Sequence, residues 1–163
     1  MNLRRAILLT PVIGLVFLIG CGPDVEQLED DAQQALSVGN FSQARELSTR
    51  ALEQVPDSDK RLTWSLERIR LEALARESQA AEAGQTLERL AAEYPEQAGA
   101  SLYLAIASYI KDAGDAGGAI DILVAGDKRF PEESEKFEAQ IRELQAVGLD
   151  PAEIERLRSL GYL

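Results

Sequence analysis

Small residues and prolines recur along this chain at matched offsets, and that recurrence constrains its fold more than any other feature. Gly39 is followed by Ala44, Ala51 and Pro56 at five, twelve and seventeen residues, and Gly114 by Ala119, Gly126 and Pro131 at the same three offsets. Between them Ser78, Ala83, Leu90 and Pro95 keep the register, with serine replacing glycine and leucine at one of the small positions. The prolines stand 39 and 36 residues apart. A period in this range marks a two-helix unit that stacks on its neighbours to bury its apolar face.

The residues between the breaks support helices. From Asp24 to Phe130 the chain is rich in Ala, Leu, Glu, Gln and Arg, all strong helix formers. The interruptions are brief: Val38-Gly39-Asn40, Pro56-Asp57-Ser58, Glu77-Ser78, Tyr94-Pro95-Glu96 and Ala113-Gly114-Asp115. No run alternates apolar and polar residues as a strand would, so the chain reads as successive helices of about 12 to 18 residues. Leu28, Ala32 and Ala35, then Leu71 and Leu74, then Tyr103, Ala107 and Ile110 fall at three- or four-residue spacing and form an inward stripe on each first helix. Glycine can end a helix in the left-handed conformation, Ala44 and Ala119 let paired helices approach, and Pro56, Pro95 and Pro131 stop each second helix.

This pattern resembles the tetratricopeptide repeat, or TPR, family over residues 24–131. The resemblance implies an all-α fold in which three TPR-like helical hairpins stack as a short right-handed solenoid; an unrelated helical bundle is the alternative. The chain departs from the family in three respects. Its spacings exceed the usual repeat of about 34 residues, Phe41 has only Ala80 and Ala116 as counterparts, and Glu67 stands where copies one and three have Leu28 and Tyr103.

Residues 132–163 read as capping helices with an apolar tail. Phe137, Ile141 and Leu144 share one side of a helix from Glu132 to Val147, Gly148 closes it, and a stacked array needs such a cap with a polar outer face. Asp150, Pro151 and Glu153 supply an N-cap, a first-turn proline and a capping-box glutamate for a last helix to about Leu160. The ending from Ile154 to Leu163 looks like a tail seen on some bacterial sulfatases and other secreted repeat proteins, without the sulfatase nucleophile context or metal-binding acids. Leu160, Tyr162 and Leu163 are expected to fold back on the last helices; an exposed docking peptide is the alternative.

The N-terminus carries a second strong signal. Arg4 and Arg5 precede an apolar run from Ala6 to Ile19, broken only by Thr10, Pro11 and Gly14, and the run ends in Leu18-Ile19-Gly20-Cys21. Those fourteen residues give roughly 21 Å of helix against about 30 Å of hydrocarbon, which is too short for a permanent span and suits a secretion signal. The tetrapeptide resembles a bacterial lipobox. In that family cleavage removes residues 1–20, Cys21 receives a diacylglyceryl group, and residues 21–23 form a short link to the folded part. Acyl chains contribute about 0.8 kcal/mol per buried CH2, so two or three on one residue hold a protein firmly to a bilayer. Gly22 is similar to outer-membrane sorting in enterobacteria. The expected location is a bacterial membrane, facing the periplasm, with the outer membrane favoured.

Charge and chemistry narrow the function class. The formal net charge is −11, and loss of Arg4 and Arg5 with the leader takes it to −13. Such a surface argues against nucleic acid and against electrostatic attachment to anionic lipid. Cys21 is the only cysteine, so lipidation leaves none for a disulfide, and the chain has no histidine. No phosphate loop or zinc spacing is present, and Glu29-Asp30-Asp31 point in different directions on a helix, as a solvated acidic face does. Trp64 reads as a half-buried packing residue at the junction of copies one and two. No enzymatic activity, metal or cofactor is assigned.

In the TPR register the groove-facing positions of the first helices are Glu29 and Gln33, then Arg68, Glu72 and Arg76, then Leu104, Ser108 and Lys111. Arg68, Arg76 and Lys111 could receive acidic or C-terminal peptide groups through charge-assisted hydrogen bonds. They could equally form pairs within their own helix, Arg68 with Glu72 or Glu72 with Arg76. The set lacks the Lys and Asn clamp of TPR domains that grip chaperone tails. The expected function is a membrane-anchored TPR lipoprotein acting as a protein–protein interaction adaptor in the bacterial cell envelope. A ligand- or peptide-binding accessory of a transporter or secreted hydrolase, and a self-associating structural module, are the rival readings.

Overall fold

The computed structural model describes residues 24–163, so the leader, Cys21 and the link after it lie outside the described residues. Eight α-helices follow in order: α1 (Val25–Ser37), α2 (Phe41–Leu52), α3 (Lys60–Arg76), α4 (Ala80–Glu93), α5 (Ala100–Asp112), α6 (Ala116–Arg129), α7 (Ser134–Val147) and α8 (Pro151–Ser159). No strand occurs among the described residues. A 3-10 turn at Pro131–Glu133 separates α6 from α7, so that helix begins two residues later than its polar residues suggest. Among the described residues no helix is long and apolar enough to cross a membrane.

The turns explain the hairpins. After α1, α3 and α5 comes a residue with positive φ: Gly39 at 80°, Ser78 at 59° and Gly114 at 91°. The next amide donates back to the carbonyl five residues earlier, Asn40 to Ala35 at 2.9 Å, Gln79 to Leu74 at 3.0 Å and Asp115 to Ile110 at 3.1 Å, which is the Schellman closure. The donor residue is also the N-cap of the following helix. Asn40 Oδ1 accepts from the Gln43 amide and Asp115 Oδ1 from the Gly118 amide, whereas Gln79 makes no side-chain cap. Ser78 holds a conformation that costs a side-chain-bearing residue roughly 1 kcal/mol, and its Oγ donates at 3.0 Å to the Ala113 carbonyl of the next turn. The serine thus ties two successive turns together.

The first helices lie side by side, α1 against α3 and α3 against α5; α2 packs on α3, α4 on α6, and α6 on α7. The stripe residues Leu28, Ala32, Ala35, Leu71, Leu74, Tyr103, Ala107 and Ile110 are all buried. One large apolar cluster runs from Leu71 to Leu157, while α1 and α2 share two smaller clusters with the start and middle of α3. Prolines end α4 and α6 as expected, two residues past Glu93 and Arg129, but α2 ends at Leu52, four residues before Pro56. Trp64 is half-buried, and its ring packs on Tyr94 at the end of α4, 5.3 Å between centroids. It packs against the large cluster and, through Tyr94, joins the two helices of copy two.

The C-terminal pair does more than cap. Phe137, Ile141 and Leu144 are buried and stand 34 residues after Tyr103, Ala107 and Ile110, so α7 repeats the stripe of α5. Gly126 makes room for it: a Cβ there would overlap Phe137 Cε1 and lie 2.8 Å from Cζ. Asp150 and Glu153 form the reciprocal capping box, with the Glu153 amide donating to Asp150 Oδ1 at 2.8 Å and the Asp150 amide to Glu153 Oε2 at 3.0 Å. Of the three tail residues expected to fold back, Tyr162 alone does. Leu157 is buried and Tyr162 folds back to donate to Asp127, but Leu160 and Leu163 are 40% and 53% exposed. Ile154 is also exposed, on an α8 surface that otherwise carries Glu155, Arg156, Arg158 and Ser159, the polar outer face expected of a cap.

Replacing Gly126 by alanine should destabilise the chain by about 1–2 kcal/mol, because overpacking against Phe137 outweighs the gain in helix propensity of about 1 kcal/mol. Chemical denaturation checks this, and an unchanged midpoint would show that the notch is not used. Tyr103 donates to Glu88 Oε1 at 2.9 Å and Tyr162 to Asp127; burial first, then these carboxylates, push both phenols above their ordinary value of about 10. The unfolded chain then loses these protons first, so the stability they contribute is complete below pH 10 and declines above it. Thermal melts from pH 9 to 12 should show that decline, with a shallower slope in Tyr103→Phe.

Candidate partner-binding surfaces

Helices α1, α3 and α5 place the expected groove residues on separate features. Gln33 from α1 and Glu72 and Arg76 from α3 line one cavity of about 410 Å³ with Leu36, Val38 and Phe41. Ser108 and Lys111 from α5 instead line a niche of about 10 Å³ with Gln140 and Glu143 of α7, room for about one water. Leu104 is half-buried against the main core, Glu29 is half-buried on α1, and Arg68 is exposed with no ion pair among the described residues.

Arg76 organises the first cavity. Its Nε donates to Glu72 Oε1 at 2.9 Å, the pairing within one helix that the spacing allows, while Arg68 leaves Glu72 to it. The guanidinium carbon lies 3.9 Å from the Tyr109 ring centroid and 5.5 Å from that of Phe41. One cation thus joins the start of α2, the end of α3 and the end of α5 through contacts worth about 0.5–1 kcal/mol each at partly exposed sites. Phe41, odd by sequence because its counterparts are alanines, is explained by this stack. Tyr109 was not visible as a partner, since nothing local links it to residues 33 and 68 positions away. Val38, 73% exposed, forms an apolar lip on the cavity. The site can hold an apolar side chain beside a polar edge, and any carboxylate ligand would compete with Glu72 for Arg76.

The substitution at Glu67 creates a second feature. This carboxylate is 7% exposed, sits 2.7 Å from Arg89 Nη2 of α4 and 3.6 Å from Arg70 Nη1, and its Oε2 has no hydrogen-bond partner. It lies at the base of an open cleft of about 740 Å³ with Arg70, Glu82, Gln85, Thr86 and Arg89. Two cations and two carboxylates balance there, so the cleft is a polar joint between α3 and α4 with no net charge to recruit an ion.

Arg89→Met should destabilise the fold by about 1–2 kcal/mol, a value reduced from that of a fully buried pair because Arg89 is partly exposed and Arg70 remains nearby. Glu67→Leu restores the apolar residue of copy one and should be neutral or stabilising, and the double variant should match Glu67→Leu alone. Denaturant titration of the three variants decides; a costlier Glu67→Leu than Arg89→Met would sink this account of the joint. No family model, curated protein or solved structure matches the chain, so what these surfaces bind has to follow from their own chemistry.

Proposed function

We propose that the chain is a membrane-anchored TPR lipoprotein that works as a protein–protein interaction adaptor in the bacterial cell envelope. In this reading Cys21 carries the lipid, and residues 24–131 form three TPR hairpins stacked as a right-handed solenoid. The C-terminal helices continue the stack. The protein faces the periplasm, on the outer membrane in preference to the inner. The observation that supports it most is the recurrence of one turn geometry, a positive-φ residue, a five-back hydrogen bond and an immediate N-cap, at Gly39, Ser78 and Gly114. A fold that repeats one hairpin presents a long inner face whose side chains can be varied for a partner without disturbing the core. The cavity at Arg76 is one such variable position. A self-associating module is the second reading, favoured by the exposed Ile154, Leu160 and Leu163 at the C-terminal end.

The test is a proximity crosslink from the native protein in intact cells, read by mass spectrometry beside Cys21→Ala. The expected result is an acylated N-terminus at Cys21 and a dominant partner protein that disappears in the variant. Crosslinks to the chain itself alone would replace the adaptor by the self-associating module.

A further inference from the structure

On the outer side of the hairpins, α4 and α6 leave between them a groove of about 700 Å³. Its floor is small and apolar, with Gly84 from α4 and Gly118, Ile122 and Ala125 from α6. Its charged lining is of one sign: Glu88, Asp115 and Asp121, with no lysine or arginine among the lining residues. The groove is separate from the Arg76 cavity, which belongs to α1, α2 and α3.

The chain itself shows what such a surface of α6 accepts. On its neighbouring flank α6 meets α8 at two points. Gly117 allows close approach, since a Cβ there would lie 2.8 Å from Glu153 Oε1. Arg156 pairs with Asp121, while Leu157 is buried in the main cluster. The groove offers a second helix a low, apolar floor of Ala80, Ala81, Gly84 and Ala125 over the nearly buried Ile122, and carboxylates at its rim. About half of the Glu88 and Asp121 side-chain surface stays exposed, at 51% and 55%, although each already has an arginine nearby.

We propose that the α4–α6 groove is a docking site for a short helix of a partner protein, one that carries an aliphatic anchor flanked by arginine or lysine. The anchor rests among Ala81, Gly84 and Ala125, and the cations meet Glu88, Asp115 and Asp121. This is helix-in-groove recognition with the charge pattern setting specificity. The overall charge of −11 favours approach of such a partner and repels an acidic one. The inference requires neither the lipid anchor nor the inner face, so its failure leaves the adaptor reading intact.

The probe is a fluorescent, alanine-based helical peptide with one leucine and an arginine one turn to either side, titrated by anisotropy into the full chain. A peptide with glutamates in place of the arginines is the control. The arginine peptide should bind at least about tenfold more tightly, and added salt should narrow the difference. Ala81→Lys with Gln85→Lys changes two exposed lining positions, so the melting temperature should hold while arginine-peptide binding falls about tenfold. Gln33→Lys, in the inner cavity, should leave binding unchanged. Equal affinity for the two peptides, or binding that survives the lysine pair, would overturn the proposal. So would a concentration-dependent doubling of mass abolished by that pair, which would seat α8 of a second copy in the groove.

Discussion

A helical hairpin has to solve two problems within about three residues: terminate one helix and start the next in nearly the opposite direction. In this chain one arrangement does both. The positive-φ residue turns the backbone, and the residue after it gives its amide to the finished helix and its side chain, at Asn40 and Asp115, to the new one. Because a single peptide serves both ends, the angle between the two helices is set locally, before any long-range packing. The stripes of α1, α3 and α5 then meet because their turns match. Ser78 accepts backbone strain where its neighbours use glycine, and the hydroxyl that glycine lacks is spent on joining its turn to the next.

Close approach is the second determinant, and it is written in missing side chains. Gly126 admits the Phe137 ring, Gly118 faces the Ala80 methyl, and Gly117 lies beneath Glu153. All three are on α6, which touches α4, α5 and α7 and also carries α8. A helix with so many neighbours needs low relief on several faces. The same low relief lowers its own helix propensity, since each interior glycine costs about 1 kcal/mol relative to alanine. The packing of Ile120, Ile122 and Leu123 offsets that weakness.

Local features were legible in the sequence and cross-repeat features were not. The turns, the prolines after α4 and α6, the buried stripes and the capping box at Asp150 depend on residues within about one or two helical turns, where spacing and side-chain type suffice. The stack of Phe41, Arg76 and Tyr109 joins three helices of three different copies, and no periodicity announces it. The fourth stripe, Phe137, Ile141 and Leu144, was visible as an amphipathic face, but the last turn obscured its kinship. Leu149 lies between Gly148 and the cap Asp150, one residue more than in the earlier turns, and packs against the core. Apolar content also misled at the tail. In the nine-residue last helix the one buried position is taken by Leu157, and of the aromatic and aliphatic side chains after it Tyr162 alone makes a side-chain hydrogen bond, to Asp127.

Turn geometry and packing both bear on α4. It lacks a side-chain N-cap, and its outer surface is left open between α4 and α6. Ala83, Leu87, Leu90 and Ala91 bury its inner face in the main cluster, and a set of polar contacts adds to that hold. Glu67 reaches Arg89 from α3; Tyr103, at the equivalent position of α5, reaches Glu88; and Arg129 of α6 donates to the Ala91 carbonyl. Copy two therefore tolerates a carboxylate in place of an apolar stripe residue because both α3 and α5 send a polar group to adjacent residues of the same helix. Directional contacts fix the orientation of α4 while adding little apolar burial, and net hydrogen bonds contribute only about 1 kcal/mol each. A helix positioned in this way keeps free apolar surface on its outer side without losing its place in the stack. That combination is what a groove needs in order to take up a partner: walls already in place, and burial still to be gained.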